Sequence, residues 1–234
     1  MLTRTALGLA ALLLAACAQR PDVTRGLPGD HTAPLLYVAL GDSTVEGVGA
    51  SRPELNYVSR LTARLRERYP AAQAANLGVG GATSADVMAD QLTRAVELSP
   101  HLVTLSIGPN DITEGVPVRK YERNVATILK ALSQKTAAVV VVNLLPDLGT
   151  TRRFRGGPHE DKVRRLTIQF NEALAAAART HGVEVVDLYT PSREEVPRHP
   201  ELLAADGYHP SDAGYARWAE LMWRGIERRM IRDG

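Results

Sequence analysis

Residues 35–43, LLYVALGDS, indicate the fold class from which the rest of the chain can be interpreted. The first six are apolar without a break, which is typical of a parallel strand covered by helices on both faces. Gly41, Asp42 and Ser43 follow at once, so polar groups stand at the end of a buried strand. In open α/β sheets, functional groups collect outside the carboxyl ends of the strands. The stretch therefore predicts a parallel sheet and the edge where a site would lie.

The same pattern recurs along the chain. Further short apolar runs predict strands at 72–77, 102–107, 137–145 and 183–188. Segments with helical periodicity lie at 57–69, 84–98, 118–133, 161–181 and 211–230. Strand followed by helix, five times over, predicts a three-layer α/β/α sandwich with a five-stranded parallel sheet.

Composition limits the possible functions. The 234 residues carry 28 Lys plus Arg and 26 Asp plus Glu, a net charge of +2, which argues against a nucleic-acid partner bound through bulk charge. The single cysteine, Cys17, excludes an intrachain disulfide and a metal site built from cysteines. The six histidines are scattered, without the spacing of a zinc motif, so we predict no metal and no organic cofactor.

The N-terminal segment predicts export. Residues 5–17, TALGLAALLLAAC, follow Arg4 and are too short to span a bilayer, which takes about 20 residues, so they are typical of a signal peptide. The last four, ending at Cys17, resemble the lipobox of bacterial lipoproteins, in which the cysteine is lipidated. This predicts a signal peptide over 1–17 and a lipoprotein anchored in the bacterial cell envelope.

Two alternatives to this membrane tether stay open. Ala16, Cys17 and Ala18 also satisfy a small-x-small cleavage pattern that releases a soluble secreted or periplasmic protein, and an uncleaved start is compatible with a short buried helix. Residues 18–33 contain two prolines, two glycines and mixed charges without apolar periodicity. We expect them to form a flexible linker before a domain over 34–234.

Two polar turns follow the first two predicted strands. Ser43, with Gly41 before it and Gly47 after it, can project its hydroxyl at the mouth of the sheet and be activated by a base, although a helix N-cap is an equally ordinary role for it. Residues 76–84, NLGVGGATS, can bring a bare backbone amide close to a ligand atom, as an oxyanion hole requires. They match neither the Walker motif nor the dinucleotide fingerprint.

Two more turns carry further candidates. Asn110 follows the third strand and can donate to a developing negative oxygen, although Pro-Asn-Asp is also good turn chemistry. Asp206 precedes His209 by three residues, so it can reach the imidazole and fix its tautomer, leaving the other ring nitrogen for a serine. The alternative is a surface turn in which Ser211 caps the last helix.

Taken in order, the four turns resemble the signature blocks of the SGNH or GDSL hydrolases, which include esterases, lipases, thioesterases and carbohydrate deacetylases. The resemblance runs from about residue 35 to residue 230. It implies a flavodoxin-like SGNH hydrolase fold, with Ser43 as nucleophile, His209 as general base and Asp206 as the residue that orients His209. It also implies an oxyanion hole formed by the backbone amides of Ser43 and Gly81 and the side chain of Asn110, with Gly80 as the alternative glycine.

The function expected from this resemblance is that of a serine esterase acting on small or lipid-derived esters through an acyl-enzyme. The alternatives are a cell-envelope carbohydrate O-deacetylase or acyl transferase of the same fold, and a non-enzymatic envelope lipoprotein, which the intact catalytic set disfavours. Residues 147–161, DLGTTRRFRGGPHED, form a basic loop at the same edge. Its arginines are candidates for binding an anionic head group, or are ordinary solvated charges; they are Arg152, Arg153 and Arg155.

Overall fold

The structure is a computed structural model that describes residues 25–230. Its sheet has five parallel strands in the order β2-β1-β3-β4-β5. The strands are β1 (Leu36–Gly41), β2 (Gln73–Asn76), β3 (Leu102–Ser106), β4 (Val139–Asn143) and β5 (Glu184–Val186). This is the flavodoxin-like order, and it confirms the predicted fold class. From β1 the chain first adds β2 on one side and then crosses over to add β3 on the other side. The carboxyl ends of β1 and β3 therefore form the switch point of the sheet.

Helices cover both faces of the sheet. They are α1 (Ser43–Glu46), α2 (Tyr57–Arg68), α3 (Ser84–Asp86), α4 (Leu92–Glu97), α5 (Pro109–Thr113), α6 (Val118–Lys135), α7 (Glu160–Thr180), α8 (Tyr189–Arg198) and α9 (Asp212–Glu227). A π-helical turn, Val87–Gln91, joins α3 to α4. Helices α2 and α9 contribute to one apolar core, and α6 and α7 to the other. Within the described residues, no helix has the length and apolar character to cross a membrane.

Helix α8 was not predicted from the sequence. Its ten residues include Pro191 and Pro197, which are normally helix breakers. Pro191 is the third residue of the helix, where backbone N–H groups have no partner within the helix, so it removes no hydrogen bond. Pro197 lies one residue before the end at Arg198. The prolines obscure the helical pattern without preventing the helix.

The folded unit begins earlier than the predicted boundary at residue 34. Leu27 is fully buried, and its backbone N–H donates to Arg229 O at 2.9 Å. The Arg25 guanidinium donates to Ser133 O at 2.5 Å and to Ala138 O at 3.3 Å. Arg25 and Leu27 are therefore held against the domain, so the flexible linker assigned to 18–33 does not extend over them. The sequence did not indicate this, because one buried leucine among prolines and glycines leaves no periodic signal. The predicted signal peptide and Cys17 lie outside the described residues.

Candidate active site

Ser43 stands where β1 ends against β3. Gly41 has a φ of +146°, and a Cβ at this position would lie 1.9 Å from Ser106 O. Only glycine allows the chain to turn this close to the neighbouring strand. The side-chain amide of Gln91, in the π-helical turn, binds both backbone groups of Gly41, with Gly41 N donating to Oε1 at 2.8 Å and Nε2 donating to Gly41 O at 2.8 Å. The backbone before the serine is thereby held on two sides.

Three side chains form a continuous hydrogen-bonded line at this edge. Ser43 Oγ lies 2.9 Å from His209 Nε2, and His209 Nδ1 lies 2.6 Å from Asp206 Oδ2. When Nδ1 carries the proton donated to Asp206, Nε2 is left as an acceptor for the serine hydroxyl. The structure thus brings together the serine, histidine and aspartate predicted from the sequence, in an arrangement that can move a proton from Ser43.

The loop that carries His209 is ordered by its own aspartate. Asp206 Oδ1 accepts from Tyr208 N at 2.9 Å and from His209 N at 3.0 Å. Partial burial raises the pKa of Asp206, but the hydrogen bonds from the His209 ring and these two amides outweigh it, so the pKa lies below its usual value. Asp206 is therefore ionised at neutral pH and stabilises a positive charge on His209.

The basic loop after β4 packs against the histidine loop. Arg152 Nη2 donates to Ala204 O at 2.7 Å and to Ala205 O at 3.3 Å. The guanidinium of Arg153 lies 4.8 Å from the centre of the Tyr208 ring, which in turn meets the His209 ring edge-on at 5.1 Å. Arg155 is exposed. Arg152 and Arg153 thus contact the loop that holds His209, a role that no sequence pattern indicates. Contact of the three arginines with substrate stays a prediction.

The candidates for the oxyanion hole lie on loops that follow β2, β1 and β3, which are neighbours in the sheet. Val79 N donates to Gly41 O at 3.2 Å, and Asn110 Nδ2 donates to Ala82 O at 2.9 Å, so the three loops are tied together. Gly81 has a φ of +81°, which favours glycine there. Among the described residues, the backbone amides of Ser43 and Gly81 have no acceptor, so both are available to a ligand oxygen.

A buried polar network behind these loops was not anticipated from the sequence. Asp111, which has no exposed surface, accepts from Ser84 N at 2.9 Å and from Ser84 Oγ at 2.5 Å. Asn124 Nδ2 donates to the same hydroxyl at 2.9 Å. Burial raises the pKa of Asp111, against the opposing effect of these hydrogen bonds. The network joins the loop of Gly81 to the loop of Asn110, and no spacing in the sequence identifies a partner 27 residues away.

A cavity of about 100 Å³ adjoins the serine and the histidine. Ser43, His209 and Pro109 contribute to its wall, together with residues of α8 and α9. The residues of α8 and α9 that line the cavity lie outside the four turns that the sequence identified as candidate site motifs. The cavity is therefore a candidate for holding part of a substrate close to Ser43.

A parallel sheet with serine, imidazole and carboxylate aligned at its carboxyl edge has the architecture of the α/β serine hydrolases. Residues 39–217 match the GDSL-like Lipase/Acylhydrolase family, and the chain belongs to this family of hydrolases that act on esters. It is 29% identical over 189 residues to the GDSL-like esterase Rv1075c of Mycobacterium tuberculosis (strain ATCC 25618 / H37Rv), a match that covers 80% of this chain and 60% of that protein.

Solved structures share the fold. An acetylxylan esterase from Geobacillus stearothermophilus, Axe2, is 23% identical with a TM-score of 0.66, over 86% of this chain and 97% of that one. TesA is 24% identical with a TM-score of 0.67, over 85% of this chain and 100% of that one. At these identities the likeness establishes the fold, and the substrates must be argued from the site.

Proposed function

We propose that this protein is a serine esterase that hydrolyses carboxylic esters through an acyl-enzyme. The observation that carries the proposal is the 2.9 Å contact between Ser43 Oγ and His209 Nε2, with Asp206 on the other ring nitrogen at 2.6 Å. A serine hydroxyl is a weak nucleophile until an adjacent base accepts its proton. Here the base is in contact with the hydroxyl and is itself oriented by a carboxylate.

Each step follows from these contacts. His209 Nε2 takes the proton of Ser43 as Oγ attacks the ester carbonyl carbon, and Asp206 stabilises the resulting imidazolium. His209 then returns the proton to the leaving alkoxide, and the alcohol departs. Water attacks the acyl-enzyme with His209 again as base, which releases the carboxylic acid and restores Ser43.

The negative oxygen formed in each step needs hydrogen-bond donors. The backbone amides of Ser43 and Gly81 have no acceptor within the described residues, and one proton of the Asn110 amide is likewise unused. Donors fixed in advance stabilise the developing charge without reorganising during the reaction. We assign these three groups to the oxyanion hole.

The test is hydrolysis of p-nitrophenyl acetate, butyrate, octanoate and palmitate by the purified protein and by Ser43→Ala. We expect turnover in the wild type and a loss of kcat of at least about 10³-fold in the variant. Ser133→Ala is the matched control, because this hydroxyl bonds only to carbonyl oxygens of its own helix, α6. Activity that survives Ser43→Ala contradicts the mechanism, and turnover confined to acetylated sugars points to a carbohydrate deacetylase.

We further propose that the protein is exported and tethered to a membrane through lipidated Cys17. The support is the sequence of residues 5–17 and its lipobox-like end. In a bacterial host, the expected result is incorporation of a labelled fatty acid and recovery in the detergent phase, both lost in Cys17→Ser. A soluble, unlabelled wild-type protein contradicts the tether and leaves the esterase proposal intact.

A further inference from the structure

We infer that the cavity beside Ser43 binds the acyl chain of the ester and selects medium-length alkyl chains over acetyl groups. This rests on the proposed esterase function and adds the part of the substrate that the enzyme recognises. The inference comes from the walls of the cavity, which extend away from the reacting groups between α8 and α9.

The α9 wall gives the cavity its length. Gly214, Arg217, Trp218 and Leu221 line it and follow the spacing of one helical face. Leu221 lies seven positions after Gly214, which at the rise of an α-helix is about 10 Å. A wall of this length, starting three residues after the cap of the helix that follows His209, is longer than an acetyl group requires.

The opposite wall is largely apolar. Helix α8 contributes Pro191 and Val196 beside the polar Ser192 and Glu195. The segment before the histidine loop contributes Leu202 and Leu203. A single water molecule needs about 10–15 Å³, so a cavity of about 100 Å³ has room for several methylene groups. Such a surface gains free energy by taking an alkyl chain out of water.

The charged residues of the wall already have partners. Arg217 Nη2 lies 2.7 Å from Glu195 Oε1, which joins α9 to α8. Asp147, which also lines the cavity, is 3.2 Å from Arg164 Nε. These charges neutralise each other, so the wall presents neither a free cation to an anionic head group nor a free anion to a basic one.

The order of the two chemical steps assigns the cavity to the acyl side of the ester. The leaving alcohol must depart before water can attack, whereas the acyl group stays bonded to Ser43 through both steps. Tyr208, His209 and Pro210 line the part of the recess beside Ser43. The recess therefore suits the group that remains attached and not the group that has to leave.

The experiment compares kcat/KM for p-nitrophenyl octanoate and acetate in the wild type, Leu221→Trp and Val196→Phe. One methylene in an apolar pocket changes kcat/KM by about tenfold or more, so we expect a wild-type preference for octanoate of at least tenfold. Filling the cavity from either helix should reduce this ratio at least tenfold. The matched control is Ile168→Trp, an exposed apolar position on α7 outside the cavity, which should keep the ratio.

Two further measurements keep the inference separate from the esterase proposal. Ethyl and hexyl acetate vary the alcohol instead of the acyl chain, and a selectivity change confined to this pair overturns the acyl assignment.

Titration of Ser43→Ala with octanoate and acetate tests the cavity without catalysis. Tighter binding of octanoate that is lost in Leu221→Trp supports the inference even if no ester is turned over, and equal binding of the two acids overturns it. If a filling variant does not fold, Leu221→Ala should instead raise kcat/KM for palmitate relative to octanoate.

Discussion

The guanidinium of Arg152 donates a 2.7 Å hydrogen bond to the carbonyl oxygen of Ala204, 52 residues further along the chain. Ala204 N in turn donates to His209 O at 2.9 Å, which closes the histidine loop. The basic loop after β4 and the histidine loop are thus joined close to His209. This contact gives Arg152 a positioning role that differs from the recognition of an anionic substrate.

Arg152→Ala should lower kcat about three- to tenfold on neutral and anionic esters alike, because the loop loses a charge-assisted hydrogen bond worth about 1.5–3 kcal/mol before solvent screening is considered. Arg155→Ala is the matched control, since Arg155 is also exposed but, among the described residues, its guanidinium makes no hydrogen bond to the histidine loop as that of Arg152 does. Steady-state kinetics with both ester types decides the question. An increase in KM for anionic esters only, with kcat unchanged, would favour substrate binding instead.

Asp206→Asn should lower kcat by about 10²- to 10⁴-fold with little change in KM, because an amide neither enforces the same His209 tautomer nor stabilises the imidazolium. The measurement is steady-state kinetics combined with thermal unfolding, to show that the variant is folded. Asp187→Asn is a suitable control, because Asp187 is an exposed carboxylate that accepts only from Thr190 N. Full activity in Asp206→Asn would contradict the assigned role.

Asn110→Ala should lower kcat by about 10²- to 10³-fold, the usual effect of removing one donor to an oxyanion. The side chain also holds Ala82 O at 2.9 Å, so a modest loss of stability is expected in addition. Asn110→Asp should be at least as inactive, because its carboxylate repels both Ala82 O and the developing oxyanion. A variant that changes KM and leaves kcat intact would remove Asn110 from the oxyanion hole.

Asp42→Asn should alter the pH dependence of stability. Burial raises the pKa of Asp42 from 3.8 to about 6, against the hydrogen bonds from Thr44. Because the folded pKa lies above the unfolded value, Asp42 contributes stability to the folded wild type below about pH 4. This contribution is lost as the pH rises to about 6. Asn keeps an acceptor oxygen and carries no charge, so its stability relative to the wild type should rise by about 2–3 kcal/mol across this range.

Chemical denaturation of both proteins between pH 4 and pH 7 measures this difference. Asp86→Asn is the control that should stay parallel to the wild type between pH 4 and pH 7, because hydrogen bonds from Thr83 lower the pKa of Asp86 below 3.8. Its contribution to wild-type stability is therefore present above about pH 4 and disappears as the pH falls through the folded pKa. Parallel curves for the wild type and Asp42→Asn would show that Asp42 does not titrate in this range.

Local signals in the sequence were sufficient to predict the sheet, the principal helices and the edge that carries the site. Unbroken apolar runs identify buried parallel strands, and helical periodicity identifies the segments between them. Ser43, Asn110 and the pair Asp206 and His209 could be predicted as site residues because each lies in a short turn directly beside a predicted element. The same locality explains why α8 was missed, since two prolines interrupt its pattern.

Contacts between distant parts of the chain were decided only by the tertiary structure. The packing of Leu27, the hydrogen bond from Arg152 to Ala204, and the network of Ser84 and Asp111 each join segments that no local pattern pairs. The cavity between α8 and α9 is of the same kind, because its shape depends on how two helices meet. Sequence by itself determined which residue types stand at the sheet edge, since periodicity and turn chemistry are local. Only the fold decided what holds them and what they can bind, because packing and burial depend on the complete set of neighbours.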